Sequence, residues 1–126
     1  MSKKNLYTLE FPIRCSPGIL YEFLATSAGL GEWFADEVKQ KDNTFFFNWD
    51  GNIDEAEQLE SEENVFVRYR WDYYDDKEYF EFRITQSDVT NETILQVSDF
   101  ADKTDIKDQQ QLWVHQIDDL KHRIGS

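Results

Sequence analysis

Apolar and polar residues alternate from Tyr7 to Cys15: Tyr7, Leu9, Phe11, Ile13 and Cys15 fall on one face, and Thr8, Glu10, Pro12 and Arg14 on the other. A period of two predicts a half-buried strand. Pro12 has no N–H to give to a ladder, which puts this strand at an edge or leaves that side free. At Ser16 the period becomes helical. Ser16 is a cap, Pro17 a first-turn proline, and Ile19, Leu20, Phe23 and Leu24 form the apolar stripe. A second cap at Thr26 or Ser27 opens a shorter helix carrying Leu30, Trp33 and Phe34, which Gly29 and Gly31 weaken and keep short or irregular.

From Asp36 onward the punctuation is that of antiparallel strands. "TFFFNW" puts Phe45, Phe47 and Trp49 on one face, and "DGN" at 50–52 is a turn signal. Residues 53–60 alternate poorly, with apolar side chains at 53, 56 and 59, and read as an edge or bulged strand. "VFVRYRW" turns Val65, Val67, Tyr69 and Trp71 inward and Phe66, Arg68 and Arg70 outward. "YFEFRI" sends Phe80, Phe82 and Ile84 inward, and "TILQVSDF" does the same with Leu95 and Val97. The loops at 72–77 and 87–91 are polar. Helical spacing returns from about Asp105 to Arg123, with Trp113, Ile117, Leu120 and Ile124 on one stripe and Leu112 beside it. The order is therefore one strand, two short helices, about six strands and one long helix, without internal repeats or a low-complexity linker. Strands in series with helices at two points predict an α+β fold whose long helix covers the apolar sheet face.

Composition narrows the function. A chain of 126 residues should bury about two-thirds of its extended surface, enough for one core and one domain. Sixteen per cent aromatic residues separate it from acidic disordered chains, which are poor in them. The formal charge of −13 repels phosphate backbones and anionic lipid surfaces, which argues against nucleic acid as a partner. The lone Cys15 cannot form an internal disulfide, and it reads as a small strand-end residue with nothing near it in sequence to activate a thiol. No apolar run approaches a membrane span of roughly 18 residues. The N-terminal "MSKKNLYTLEF" alternates where a signal peptide would be continuously apolar, so a cytoplasmic location is expected.

"SPGILYEFLATSAGLGEWFADEV" near the start and "LWVHQIDDLKHRIGS" at the end carry a resemblance. In this order of elements the chain resembles the START-like branch of the helix-grip superfamily, also called SRPBCC or birch-pollen-allergen-like, over nearly its whole length as one domain, 1–126. It is most similar in pattern to domains akin to the activator of the heat-shock chaperone ATPase, through Pro17, the Trp33-Phe34 pair, and Trp113 with Leu120. The resemblance implies a curved antiparallel sheet of six to seven strands gripping the C-terminal helix, often with a cavity between them for an apolar ligand. It implies no fixed catalytic residue and no cofactor. Trp33 and Phe34 would close one end of such a cavity or plug the core. The inward Phe45, Phe47, Trp49, Tyr69, Trp71, Phe80, Phe82, Leu95, Val97, Trp113 and Ile117 would line it or fill it. Tyr69 and the indole nitrogens, if buried, need polar partners, for which backbone and water compete with a ligand oxygen.

Other chemistry is thinner. Asp99 alternates with Leu95 and Val97, which would make it an inward carboxylate with a raised pKa, but at a strand end a solvated or cap-forming Asp is preferred. The acidic run "DEAEQLESEE" at 54–63 lacks the glycine-containing pattern of a calcium loop and reads as a solvated strand and turn. His115 and His122 stand seven apart on the last helix with no nearby Cys or second-turn partner, which argues against a metal pair. Arg68, Arg70 and Arg83 read as outer-face residues pairing with carboxylates. Three functions follow in order of preference. The first is a binding protein for an apolar small molecule or lipid. The second is a protein-interaction module, which a fully packed interior would favour. The third is a cyclase or hydrolase-like enzyme, which a polar cluster in the cavity would favour.

Overall fold

The computed structural model describes residues 4–125, so Met1 to Lys3 of the N-terminal stretch and Ser126 of the last motif lie outside the described residues. The elements are β1 (Asn5–Ile13), α1 (Pro17–Ala25), α2 (Ser27–Leu30), β2 (Glu37–Lys41), β3 (Thr44–Trp49), β4 (Asn52–Glu62), β5 (Phe66–Trp71), β6 (Phe80–Gln86), β7 (Thr93–Ala101) and α3 (Ile106–Ile124). The seven strands form one curved sheet in the order β1-β7-β6-β5-β4-β3-β2. Every pairing is antiparallel. β2 to β7 run as a meander, and β1 adds to its far side, where Pro12 sits on an edge strand as expected.

One expectation is resolved and another changes. Of the edge or bulged strand expected at 53–60, the bulged one is found: β4 lies between β3 and β5, and its poor alternation comes from a bulge between Gln58 and Glu60 that throws Leu59 out of register. Val65 precedes β5 and is half-buried, so that strand starts at Phe66. The β3–β4 hairpin turns on Asp50 (φ 51°) and Gly51 (φ 89°), two successive left-handed residues of the kind that match the strand twist.

Local sequence also explains how α1 and α2 meet. The Ser16 hydroxyl accepts from the Ile19 N–H and opens α1, and Thr26 does the same for α2 through Gly29. A Cβ at residue 29 would lie 1.9 Å from the Glu22 carbonyl oxygen, so only glycine lets α2 fold back against α1. α1 has no glycine C-cap, and its last four carbonyls have no intrahelical donor. Each instead receives a side chain: Thr26 Oγ1 to Glu22 (2.7 Å), Trp33 Nε1 to Phe23 (2.7 Å), Tyr69 Oη to Leu24 (2.7 Å) and Gln58 Nε2 to Ala25 (3.4 Å).

The concave face of the sheet buries Phe45, Phe47, Tyr69, Phe80, Phe82, Leu95 and Val97 with no accessible surface, under Leu20, Leu24, Leu30 and the Trp113-Ile117-Leu120 stripe of α3. Ile19, expected on the α1 stripe, is 54% exposed. On the convex face Glu81 receives both Arg68 (2.8 Å) and Arg83 (3.1 Å), while Arg70 donates to the Glu78 and Asp76 carbonyls and pairs with no carboxylate among the described residues. Cys15 is half-buried at the end of β1, and burial pushes its thiol pKa up, the opposite of activation. No helix among the described residues is long and apolar enough to cross a membrane.

Candidate functional site

Phe34 sits in the turn after α2 and enters the sheet's open end, where its ring is surrounded by those of Trp33 (5.1 Å), Phe47 (5.3 Å), Trp49 (5.5 Å), Trp113 (5.8 Å) and Trp71 (6.3 Å). Behind it, Phe45, Phe47, Tyr69, Phe80 and Phe82 contact one another at 5.2–6.3 Å. That part of the interior is filled. Three of the indole and phenol donors there are also given to protein: Trp33 and Tyr69 to α1 carbonyls, and Trp49 Nε1 to the Phe34 carbonyl at 2.8 Å. Phe45, Phe47, Tyr69, Phe80, Phe82, Leu95, Val97 and Ile117, expected to line a cavity or fill it, are packed core residues here.

Open space begins at the rim. A pocket of about 160 Å³ lies between the sheet and α3, walled by Phe34, Trp49, Trp71 and Trp113 and by Tyr73 and Tyr74 from the β5–β6 loop. Its polar groups are Asp99 of β7 and Gln109 and Gln116 of α3. It shares Phe34, Trp49, Leu112 and Gln116 with a groove of about 650 Å³ that follows α3 past Trp33, Glu32, Asp36, His115, Asp119, His122 and Arg123. Tyr73 and Leu112 stand at the pocket mouth, 63% and 65% exposed. Tyr73, Tyr74, Gln109, Leu112 and Gln116 were missed as site residues. The pair of tyrosines inside an otherwise polar loop was the signal available.

Asp99 corrects the preference for a solvated strand-end carboxylate, because it is 2% exposed. Its Oδ1 accepts from the Tyr74 hydroxyl (2.6 Å) and the Phe100 N–H (2.7 Å), and its Oδ2 from Gln109 Nε2 (2.9 Å) and Trp113 Nε1 (3.0 Å). One carboxylate thus ties β7 to α3 and to the β5–β6 loop. Burial pushes its pKa up, against the lowering effect of Tyr74, Phe100, Trp113 and the more distant Lys4. Tyr74 and Tyr7 are pushed up in turn, chiefly by burial and then by the Asp99 charge. The buried Tyr7 hydroxyl has no hydrogen-bond partner among the described residues, since the Trp113 indole N–H beside it is given to Asp99.

A carboxyl with a raised native pKa holds its proton more tightly when folded. Its contribution to stability is therefore fully present at acid pH and falls as pH rises from the ordinary value of 3.8 through the native one. Asp99→Asn places an NH₂ against donors and is expected to cost about 1–3 kcal/mol near pH 4. The cost should shrink as pH rises to 8. Paired urea melts of the two proteins cancel the other acids, and a penalty that grew with pH would contradict the raised pKa.

A START-like superfamily domain model matches residues 1–126. No curated protein matches the chain. Among solved structures, a protein from Bacteroides fragilis is 27% identical with a TM-score of 0.69, covering 97% of this chain and 91% of that one. The Aha1 dimer from Colwellia psychrerythraea is 17% identical with a TM-score of 0.76, covering 93% of each chain. A protein from Mesorhizobium loti is 18% identical with a TM-score of 0.77, covering 96% and 97%. The last two likenesses show the fold alone. The whole-length match, the seven-stranded antiparallel sheet and the helix that crosses it place this chain in the START-like superfamily.

Proposed function

We propose that this protein binds a small molecule with an apolar part, held between the sheet and α3. The observation that carries the reading is the pocket where Phe34, Trp49, Trp71, Tyr73 and Trp113 converge and open into the α3 groove. START-like folds commonly bind hydrophobic ligands. Here the deep interior is filled, so the ligand sits at the rim, with room for a small group in the pocket and a longer part along the groove. A pocket of about 160 Å³ is below the roughly 300–1,000 Å³ of drug-sized sites, which limits what enters it to a fragment-sized group. An apolar fluorescent dye should bind the native state and quench indole emission. Leu112→Glu, at an exposed position shared by pocket and groove, should weaken dye binding about tenfold with an unchanged melt. Absence of dye binding to the native state overturns the proposal.

The filled interior favours a second reading, a protein-interaction module docking through the Tyr73 and Leu112 rim. A concentration-dependent sedimentation coefficient abolished by Leu112→Glu, with no dye binding, supports that reading over the first. The polar cluster does not favour an enzyme. A carboxylate has about four lone-pair sites, and those of Asp99 are already taken by Tyr74, Phe100, Gln109 and Trp113.

A further inference from the structure

We infer that the group bound in the pocket between the sheet and α3 is a quaternary ammonium, recognised by its charge and its methyl surface. The inference rests on the binding reading above and adds a ligand class to it. Six aromatic side chains wall the pocket, and Asp99 is the one charged residue that lines it. The rings stand in two crossing orientations: Phe34 is near parallel to Trp71 (18°) and Trp113 (17°), and Trp71 to Tyr73 (8°), while Trp49 is inclined to Phe34 at 71° and Tyr74 to Tyr73 at 89°. Rings in two crossing orientations offer faces and edges to a rounded group, and the faces carry the negative potential that attracts a cation.

Among the described residues Asp99 forms no ion pair, and Lys4 acts on it only from a distance. The ion pairs among the described residues join Lys4 to Glu78, Arg68 and Arg83 to Glu81, and Arg123 to Glu32, and none includes Asp99. Lys4 is spent on Glu78 at 3.4 Å and lies 4.6 Å from the centre of the Tyr74 ring. A buried carboxylate without a counter-charge is costly, and a cation entering the pocket offsets that cost.

The hydrogen bonds select the kind of cation. A primary ammonium brings three N–H donors that need acceptors, and both Asp99 oxygens are already occupied. A quaternary ammonium has no N–H, so it keeps the Coulombic attraction and the ring contacts without asking for a lone pair. The acids Glu32, Asp36 and Asp119 along the groove, with Arg123 paired to Glu32, and the net charge of −13 disfavour a phosphate next to that group. A free organic cation therefore fits better than a zwitterionic headgroup.

The test titrates the full-length protein with choline, with its neutral isostere 3,3-dimethylbutan-1-ol, with ethanolamine and with phosphocholine, following the Trp113 indole N–H resonance. Choline should bind about ten- to thirtyfold tighter than the neutral isostere, the size of a desolvated cation–π contact. It should also bind more tightly than ethanolamine and phosphocholine. Asp99→Asn should reduce the preference for choline over the isostere and leave the part that the rings supply. Tyr73→Ala, at a position 63% exposed, should reduce it with an unchanged melt, which keeps the test independent of folding. Equal affinity for choline and isostere while the apolar dye still binds overturns the cation and leaves the binding reading standing. Failure of both dye and choline removes both. Tighter binding of phosphocholine overturns the free cation in favour of a headgroup.

Discussion

A chain ending at Lys107 is expected to lose its sharp thermal transition and its near-ultraviolet circular dichroism, while its far-ultraviolet signal still reports strand. The sheet holds its concave aromatic face against three elements, and α3 is the only long one. Its Trp113, Ile117 and Leu120 are 6%, 0% and 0% exposed. Burial of each contributes about 1.5–3 kcal/mol, so the stripe supplies roughly 5–9 kcal/mol against a whole-domain stability of about 5–15 kcal/mol. Its removal also uncovers Phe34, Phe80 and Phe82, whose rings lie 5.6–6.0 Å from Trp113. It strips Asp99 of its Gln109 and Trp113 donors as well. The losses fall on one face and cannot be made up elsewhere, so the remaining chain should be loose and prone to aggregate. A cooperative, native-like melt of the shortened chain would show that the sheet closes without its helix.

The elements were legible because each is written twice, in the period of its apolar residues and in its boundary chemistry. Alternation in "TFFFNW" and "TILQVSDF", together with the Asp50-Gly51 turn, gave strands whose inward residues are the buried ones. In β4 the broken period left an edge and a bulge as alternatives, and the choice between them rests on strand order, a property of pairing that one strand does not carry. The site was less legible for a different reason. Alternation tells which way a side chain points and says nothing about whether space remains beside it. Phe82 and Trp71 are equivalent by that rule, yet Phe82 is sealed in the core and Trp71 reaches the pocket, because the turn after α2 drives Phe34 between them. Asp99 was set aside because a strand-end Asp is ordinarily solvated. Apart from the adjacent Phe100 N–H, its donors come from Tyr74 and from a helix that starts seven residues after it, contacts that leave no mark on the local pattern.

Trp33→Ala is expected to cost about 3–5 kcal/mol, the range for deleting a buried large aromatic. In sequence the residue could have been a ligand wall as easily as a plug. In the fold it is 6% exposed, its ring packs 5.1 Å from Phe34 and 5.9 Å from Phe82, and its indole N–H is donated to the Phe23 carbonyl. That bond closes one of the four open carbonyls at the end of α1, so the substitution leaves both a cavity and an orphaned acceptor. Trp33→Phe separates the two effects: it retains most of the ring and gives up the donor, and should cost about 0.5–1.5 kcal/mol more than a simple volume change, the net worth of one hydrogen bond. Urea unfolding followed by circular dichroism measures both, with an unchanged slope required for the comparison. Trp33 also lines the groove, so dye affinity is read separately at urea concentrations where the variant is folded. A loss for Trp33→Ala below about 1 kcal/mol, accompanied by loss of dye binding, would overturn the packing role and make Trp33 part of the binding surface, since the full core range is unavoidable for an indole whose removal empties its site.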